Sequence, residues 1–244
     1  MSFLAELKTL YCVTLKRLHG ADPATRVESF YADQAENFDD FRKRLLHGRR
    51  ELFAALESPP GGVWVDMGGG TGWNLEQLGP RLDTLGKAYI VDFSPSMLKV
   101  ARRRIDERGW KNVAAVEADA IQFRPPEGQA DVVTFSYSLT MIPDWFAAIE
   151  NAWAILKPGG AIGVLDFYVS RKHPDEGLAR HGFFGRNFWP MFFSLNDVFP
   201  SSEHLPYLRR RFSQTHCRES RGRVPYLPLL RAPYYTFIGK KMAE

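Results

Sequence analysis

Between Val63 and Phe167 short apolar runs alternate with stretches of helical spacing, and this rhythm limits the possible folds more than any other property of the chain. Val63-Trp64-Val65-Asp66 reads as a strand, followed by a glycine loop and a helix. Ala88 to Asp92 reads as a second strand. Ser94-Pro95 opens the next helix, with Ser94 suited to the N-cap and Pro95 to the first turn, and Gly109 ends it. Val113 to Val116 and Asp131 to Tyr137 read as third and fourth strands. Trp145 to Leu156 reads as a helix, Lys157 to Gly160 as a turn, and Ala161 to Phe167 as a fifth strand. Strands that alternate with helices are joined by crossovers, and so build a parallel sheet covered on both faces. Such sheets bind ligands at the carboxyl ends of their strands. Chemistry is therefore expected just after Asp66, Asp92, Val116, Phe135 and Asp166.

Helical spacing from Ser2 to Leu18 predicts an amphipathic helix, and a second helical stretch runs from about Val27 to Leu56. Residues 170 to about 232 carry turn formers, aromatics and arginines instead of regular strands, and Tyr234 to Gly239 reads as a last strand. The expected division is an N-terminal helical cap (1–58), a core (59–169), a substrate- and membrane-facing insertion (170–233) and a final core strand with tail (234–244). With 45% hydrophobic residues in 244, a disordered chain is excluded. Apolar stretches such as 130–143 are broken by Asp131, Ser136 and Ser138 and fall short of the roughly 18 residues of a membrane span. Glu6, Lys8 and Lys16 interrupt the N-terminal apolar run, so no secretory signal is expected. Cys12 and Cys217 lack metal or CxxC spacing, and the expected setting is the reduced cytoplasm. From His204 onward nine Lys/Arg face two acids, a charge of +7, which leaves −3 on the rest of a chain of net charge +4. A basic end on an acidic body points to an anionic partner, a membrane surface or nucleic acid.

The loop reads Asp66-Met67-Gly68-Gly69-Gly70-Thr71-Gly72. It fails the dinucleotide fingerprint GxGxxG, because the third glycine falls on Trp73 when counted from Gly68 and on Leu75 when counted from Gly70. What remains, D-x-G-x-G-x-G after a strand, resembles the class I S-adenosylmethionine methyltransferases. That cofactor has no pyrophosphate; its amino-acid end carries an ammonium and a carboxylate. Asp66 suits the ammonium, directly or through the loop. Asp92 can accept both ribose hydroxyl hydrogens at the end of the second strand. Asp119-Ala120, past the third strand, suits the adenine amino group. The resemblance implies an α/β, Rossmann-like, mostly parallel seven-stranded sheet with helices on both faces. N-terminal helices and a C-terminal substrate cap, inserted before the last strand, complete it. It also implies S-adenosylmethionine as cofactor, S-adenosylhomocysteine as product and no metal. Arg42, Gly68, Gly69, Gly70, Phe93, Met97 and Ser136 join the three acids and Ala120 on the cofactor, with His47 an alternative to Arg42. His173, His181 and His216 are scattered without ligand spacing.

Further stretches narrow the resemblance: Glu28-Ser29-Phe30-Tyr31, Leu45-Leu46-His47-Gly48-Arg49, Phe135-Ser136-Tyr137-Ser138-Leu139-Thr140-Met141-Ile142-Pro143, Asp166-Phe167-Tyr168-Val169 and Val224-Pro225-Tyr226. Together they resemble the methyltransferase half of betaine-lipid synthase, which trimethylates the amino group of diacylglyceryl-homoserine. On that resemblance Tyr31 and Tyr137 bracket the reacting nitrogen as catalytic residues, and Asp166 and Tyr168 meet the substrate. The partners implied are a lipid substrate at an anionic membrane surface and the enzyme that makes diacylglyceryl-homoserine, with no nucleic acid. Phe183 to Phe193, five phenylalanines and one tryptophan in 11 residues, reads either as a core-forming cap or as an interfacial anchor for a peripheral membrane protein. Three other readings stay open: a methyltransferase of a soluble small amine, an RNA methyltransferase, and a non-catalytic cofactor-binding accessory subunit.

Overall fold

The computed structural model describes residues 45–225 and 227–242. Of the two N-terminal helices expected, the first lies outside the described residues, as does the second up to residue 44. The second ends as α1, Arg49–Ala55, entered through Gly48 with a left-handed φ of 83°.

Seven strands form one sheet: β1 Val63–Met67, β2 Lys87–Asp92, β3 Val113–Glu117, β4 Ala130–Ser136, β5 Leu156–Phe167, β6 Ser213–Val224 and β7 Leu227–Lys240. Their order is β3-β2-β1-β4-β5-β7-β6. The first five are parallel, and β7 runs antiparallel to both β5 and β6. This is the mostly parallel seven-stranded sheet that the methyltransferase resemblance implied, and its parallel part is what the strand rhythm predicted. Period-2 alternation sorts the side chains: Val63, Val65 and Met67 enter one apolar layer, Trp64 the other. All five residues of β1 are buried, as expected of a strand covered on both faces. The chain leaves β1 toward β2 and β3 on one side, then returns to β4 and β5 on the other. This reversal opens a crevice at the carboxyl ends of β1 and β4.

The helix after β2 is α2, Pro95–Arg108. The Ser94 hydroxyl accepts from Met97 N at 3.2 Å, and Gly109 closes the helix at φ 64°. The helix expected after the glycine loop is instead a 3-10 segment, Leu75–Thr84, broken at Gly79 (φ 55°, ψ −136°). Pro80 disfavours the helical region for the residue before it, and glycine at 79 allows the positive-φ conformation taken instead. α3, Trp145–Ile155, connects β4 to β5. Lys157 to Gly160, read as a turn, lies within β5: Ala130 pairs with Leu156 and Val132 already with Ala161, so these residues form an irregularity of the strand.

The larger correction concerns residues 170–233, expected without regular strands. They contain α4 Phe183–Ser194, α5 His204–Arg211, all of β6 and the first half of β7. β6 is the sheet edge and most of its side chains are exposed, so it shows no apolar alternation for a sequence pattern to catch. Among the described residues no helix is long and apolar enough to cross a membrane.

Candidate functional site

The crevice at β1 and β4 holds about 810 Å³ of empty space, part of it open to solvent. Its floor is the glycine loop. Gly68 and Gly69 donate their N–H groups to Val91 O at 2.8 and 3.0 Å, tying the loop to β2. Gly68, Gly70 and Gly72 have φ of 67°, 56° and 74°, a region that L side chains enter only with strain. A Cβ on Gly69 would lie 2.9 Å from Asp66 Oδ2 and 2.9 Å from Ile90 Cγ2, whereas one on Gly70 would meet only Asp92 Oδ2, at 4.0 Å. Gly69 is therefore packed against the sheet, while Gly70 presents bare backbone to the crevice.

Asp92, at the end of β2, is held by two backbone donors: Gly70 N to Oδ2 at 2.8 Å and Ser94 N to Oδ1 at 2.9 Å. Those bonds fix the carboxylate plane at the cleft wall. Phe93, 39% exposed, and Met97, Ala118 and Ala120 line the same side. On the opposite side stand Ser136, Tyr137 and Ser138. Tyr137 is a non-glycine residue at φ 57°. Its N–H donates to Leu165 O at 2.6 Å and its hydroxyl to His47 O at 2.7 Å. Its ring packs on Phe167 at 4.7 Å. Burial pushes its phenol well above the ordinary range, opposed by the nearby Arg49 charge. Such a backbone persists only where its surroundings over-determine it.

The structure thus gathers Gly68, Gly69, Gly70, Asp92, Phe93, Met97, Ala120, Ser136 and Tyr137 around one cleft. Four expected residues do not line it. Asp66 is fully buried beneath the loop, accepting from Asn74 Nδ2 at 2.9 Å and Thr134 Oγ1 at 2.7 Å, and burial raises its pKa to about 6. Asn74 itself lines the cleft, so Asp66 reaches the site only through that amide and the loop. Asp119 is not among the lining residues: its Oδ1 accepts from Ile121 N at 2.9 Å, capping a turn, while its neighbours Ala118 and Ala120 line the cleft. Asp166, proposed to meet the substrate, is fully buried, with its carboxylate bound by Thr140 N (3.1 Å), Thr140 Oγ1 (2.8 Å) and Phe167 N (2.8 Å). Burial lifts it to about 6; it orients the segment after β4 instead of touching a ligand. Tyr168 donates its hydroxyl to Glu219 of β6, and its ring packs on His181 and Tyr235, away from the cleft. Tyr31 and Arg42 lie outside the described residues.

One residue the sequence reading passed over is central. Arg49 donates from Nε to Ser136 Oγ at 3.1 Å, and its guanidinium stands 5.4 Å from the Trp73 ring and 5.6 Å from the Tyr137 ring. His47, two residues earlier, is bound instead at the hairpin, its Nε2 3.0 Å from Arg223 O. The available signal was Gly48: a glycine immediately before a helix lets the chain enter it from the left-handed region, and here that entry sets Arg49 at the cleft. Among the described residues no group of His, Cys, Asp or Glu is placed to hold a metal.

Bare backbone at Gly70, an oriented carboxylate at Asp92, an apolar wall at Phe93 and Met97 and a guanidinium at Arg49 fit a nucleoside joined to an amino-acid end, the shape of S-adenosylmethionine. A model of the ubiE/COQ5 methyltransferase family matches residues 38–194. The chain is 31% identical over 136 residues to a demethylmenaquinone methyltransferase of Geobacillus stearothermophilus, covering 54% of this chain and 56% of that protein. It is 32% identical over 146 residues to the demethylmenaquinone methyltransferase of Thermus thermophilus, covering 56% and 64%. The chain thus spans between about half and two thirds of the length of these relatives. The N-methyltransferase NodS of Bradyrhizobium japonicum, solved with S-adenosylhomocysteine, shares the fold with a TM-score of 0.62 at 15% identity, over 90% of this chain and 99% of that one. The relatives' names concern quinone precursors and do not carry the betaine-lipid resemblance. The chain belongs to the S-adenosylmethionine-dependent ubiE/COQ5 methyltransferase family.

Proposed function

We propose that this chain is an N-methyltransferase that methylates the amino group of diacylglyceryl-homoserine, up to the trimethylated betaine lipid. The observation that carries this reading is the makeup of the cleft wall. Asp92 is the one carboxylate among its described residues, and both oxygens of Asp92 already accept backbone N–H groups. Methylating a ring carbon calls for a base that ionises the ring hydroxyl. An amine needs only its neutral form, which loss of the ammonium proton to solvent supplies. When bound, S-adenosylmethionine supplies an electrophilic methyl group on a sulfonium. The chain's own part is to hold and orient. Gly68 to Gly70 allow close approach, Asp92 accepts from ribose hydroxyls, Phe93, Met97 and Ala120 flank the base, and Arg49 pairs with a carboxylate. The Tyr137 hydroxyl is committed to the His47 carbonyl, so its ring is what faces the acceptor. An aromatic face suits the permanent cation left after the third methyl. One proton leaves the nitrogen before each transfer and passes to solvent.

A second reading, favoured by the names of the relatives, is methyl transfer to a ring carbon of a demethylmenaquinone-type acceptor. Incubation with methyl-labelled S-adenosylmethionine and, separately, micellar diacylglyceryl-homoserine, phosphatidylethanolamine and a reduced demethylmenaquinone separates them by mass spectrometry of the products. Stepwise gain of up to three methyl groups on the homoserine lipid alone is the expected result. A single methyl on the quinone ring alone overturns it in favour of the second reading. Cofactor binding without turnover on any acceptor leaves a binding subunit.

A further inference from the structure

α4 has two unlike faces. Trp189 and Phe193 are buried, 7% and 5% exposed, and Phe193 stacks on Phe167 at 4.4 Å. Phe183 and Phe184 at its start are 79% and 71% exposed, and Met191, Leu195 and Phe199 are 65%, 58% and 57% exposed. Burying an exposed phenylalanine is worth about 1.5–3 kcal/mol, so five large apolar side chains left in water within 17 residues call for an occupant. Charge narrows the choice. From Gly177 to Phe199 the chain carries Arg180 and Arg186 and one acid, Asp197, at its far end. Aromatic rings next to arginines, with the one carboxylate beyond the C-terminus of α4, match the interface of an anionic bilayer.

The patch is also joined to the cleft. From the cleft wall, Tyr137 meets Phe167 at 4.7 Å, Phe167 meets Phe193 at 4.4 Å, and Phe193 meets Trp189 at 5.6 Å. Trp189 then meets Phe188 at 5.0 Å and Phe188 meets Phe184 at 5.1 Å, where the row reaches solvent. Phe167, Phe193 and Trp189 are buried, so this row ties the exposed patch to the cleft wall through the core. We propose that α4 and its flanks form a docking face for an anionic lipid bilayer, with Phe183, Phe184 and Met191 entering the interface. The proposal rests on the lipid-substrate reading for its purpose, and its physical basis is the exposed face itself.

The test is flotation of the full chain with phosphatidylcholine vesicles, with and without phosphatidylglycerol. The wild type is expected to float with the anionic vesicles, and the bound fraction to fall as salt rises. Phe183→Glu/Phe184→Glu is expected to lower that fraction at least about tenfold while still binding S-adenosylhomocysteine by calorimetry. Met191→Glu, on the same face, serves should the double variant fail to fold. Absence of flotation on anionic vesicles, or equal flotation of the wild type and a folded variant, overturns the proposal. So does a dimer in sedimentation that the same substitutions dissociate, which would make a second copy the occupant. Methyl transfer to micelle-dispersed lipid is measured apart. Its absence with flotation intact defeats the N-methylation reading alone, and its presence without flotation defeats the docking face alone.

Discussion

Gly69 and Gly70 are neighbours with different reasons to be glycine. Gly69 has an ordinary φ but no room, since a Cβ would press on Asp66 and Ile90; Gly70 has room but a φ of 56°. Gly69→Ala is expected to cost about 1–3 kcal/mol of stability through overpacking and to weaken cofactor binding by displacing the loop. Gly70→Ala is expected to cost only about 1 kcal/mol of backbone strain; its main effect is on S-adenosylhomocysteine affinity, where the methyl group meets the ligand. Thermal unfolding with and without S-adenosylhomocysteine, together with calorimetry, separates the two. Equal losses of stability in both variants would contradict this division. Asp92 and the glycines were legible in the sequence because a strand end fixes where a carboxylate or a loop must lie. Arg49 was not, because its place depends on Ser136, 87 residues away.

α2 shows how far local chemistry reaches. Its start and end follow from Ser94, Pro95 and Gly109 alone, and the structure has the expected cap bond and left-handed closure. Ser94→Ala is expected to cost about 1 kcal/mol. The bond from Ser94 N to the Asp92 carboxylate is a backbone one and survives the substitution, so cofactor affinity should hold while the urea midpoint falls. An unchanged midpoint would show that the Met97 N–H finds another acceptor. β6 is the opposite case. Exposed along most of its length, it has no buried stripe; it is a strand because β7 offers a ladder from Ser213 to Val224. Strand preference depends on the neighbour as much as on the residue, and the neighbour here is set by a hairpin turn and by β5.

Across the whole molecule, two carboxylates toward the carboxyl ends of their strands, Asp66 on β1 and Asp166 on β5, are buried and raised from 3.8 to about 6. Burial disfavours their charged form in the fold, so between about pH 4 and 6 the native state holds protons that the unfolded chain has released. Their contribution is therefore fully present below about pH 4 and is lost as pH rises through 6, contrary to the usual acid lability of carboxylates. Relative to Asp166→Asn, the wild type is expected to lose on the order of 2–3 kcal/mol between pH 4 and 7, since the folded state keeps this proton over about two pH units. Urea unfolding of both proteins across that range checks it; a difference that does not vary with pH would mean that Asp166 is not raised. The sequence by itself determined a succession of parallel strands, the capped helix between two of them and the strand ends where the loop and its ligand must lie. Each of these follows from local periodicity and turn chemistry within a few residues. Only the tertiary structure decided that Asp66 and Asp166 lie beneath the site, that Arg49 closes it and that β6 is a strand. Burial, partners and pairing are fixed by residues distant in the chain: Thr134 bonds Asp66 across 68 positions, and Glu219 holds Tyr168 across 51.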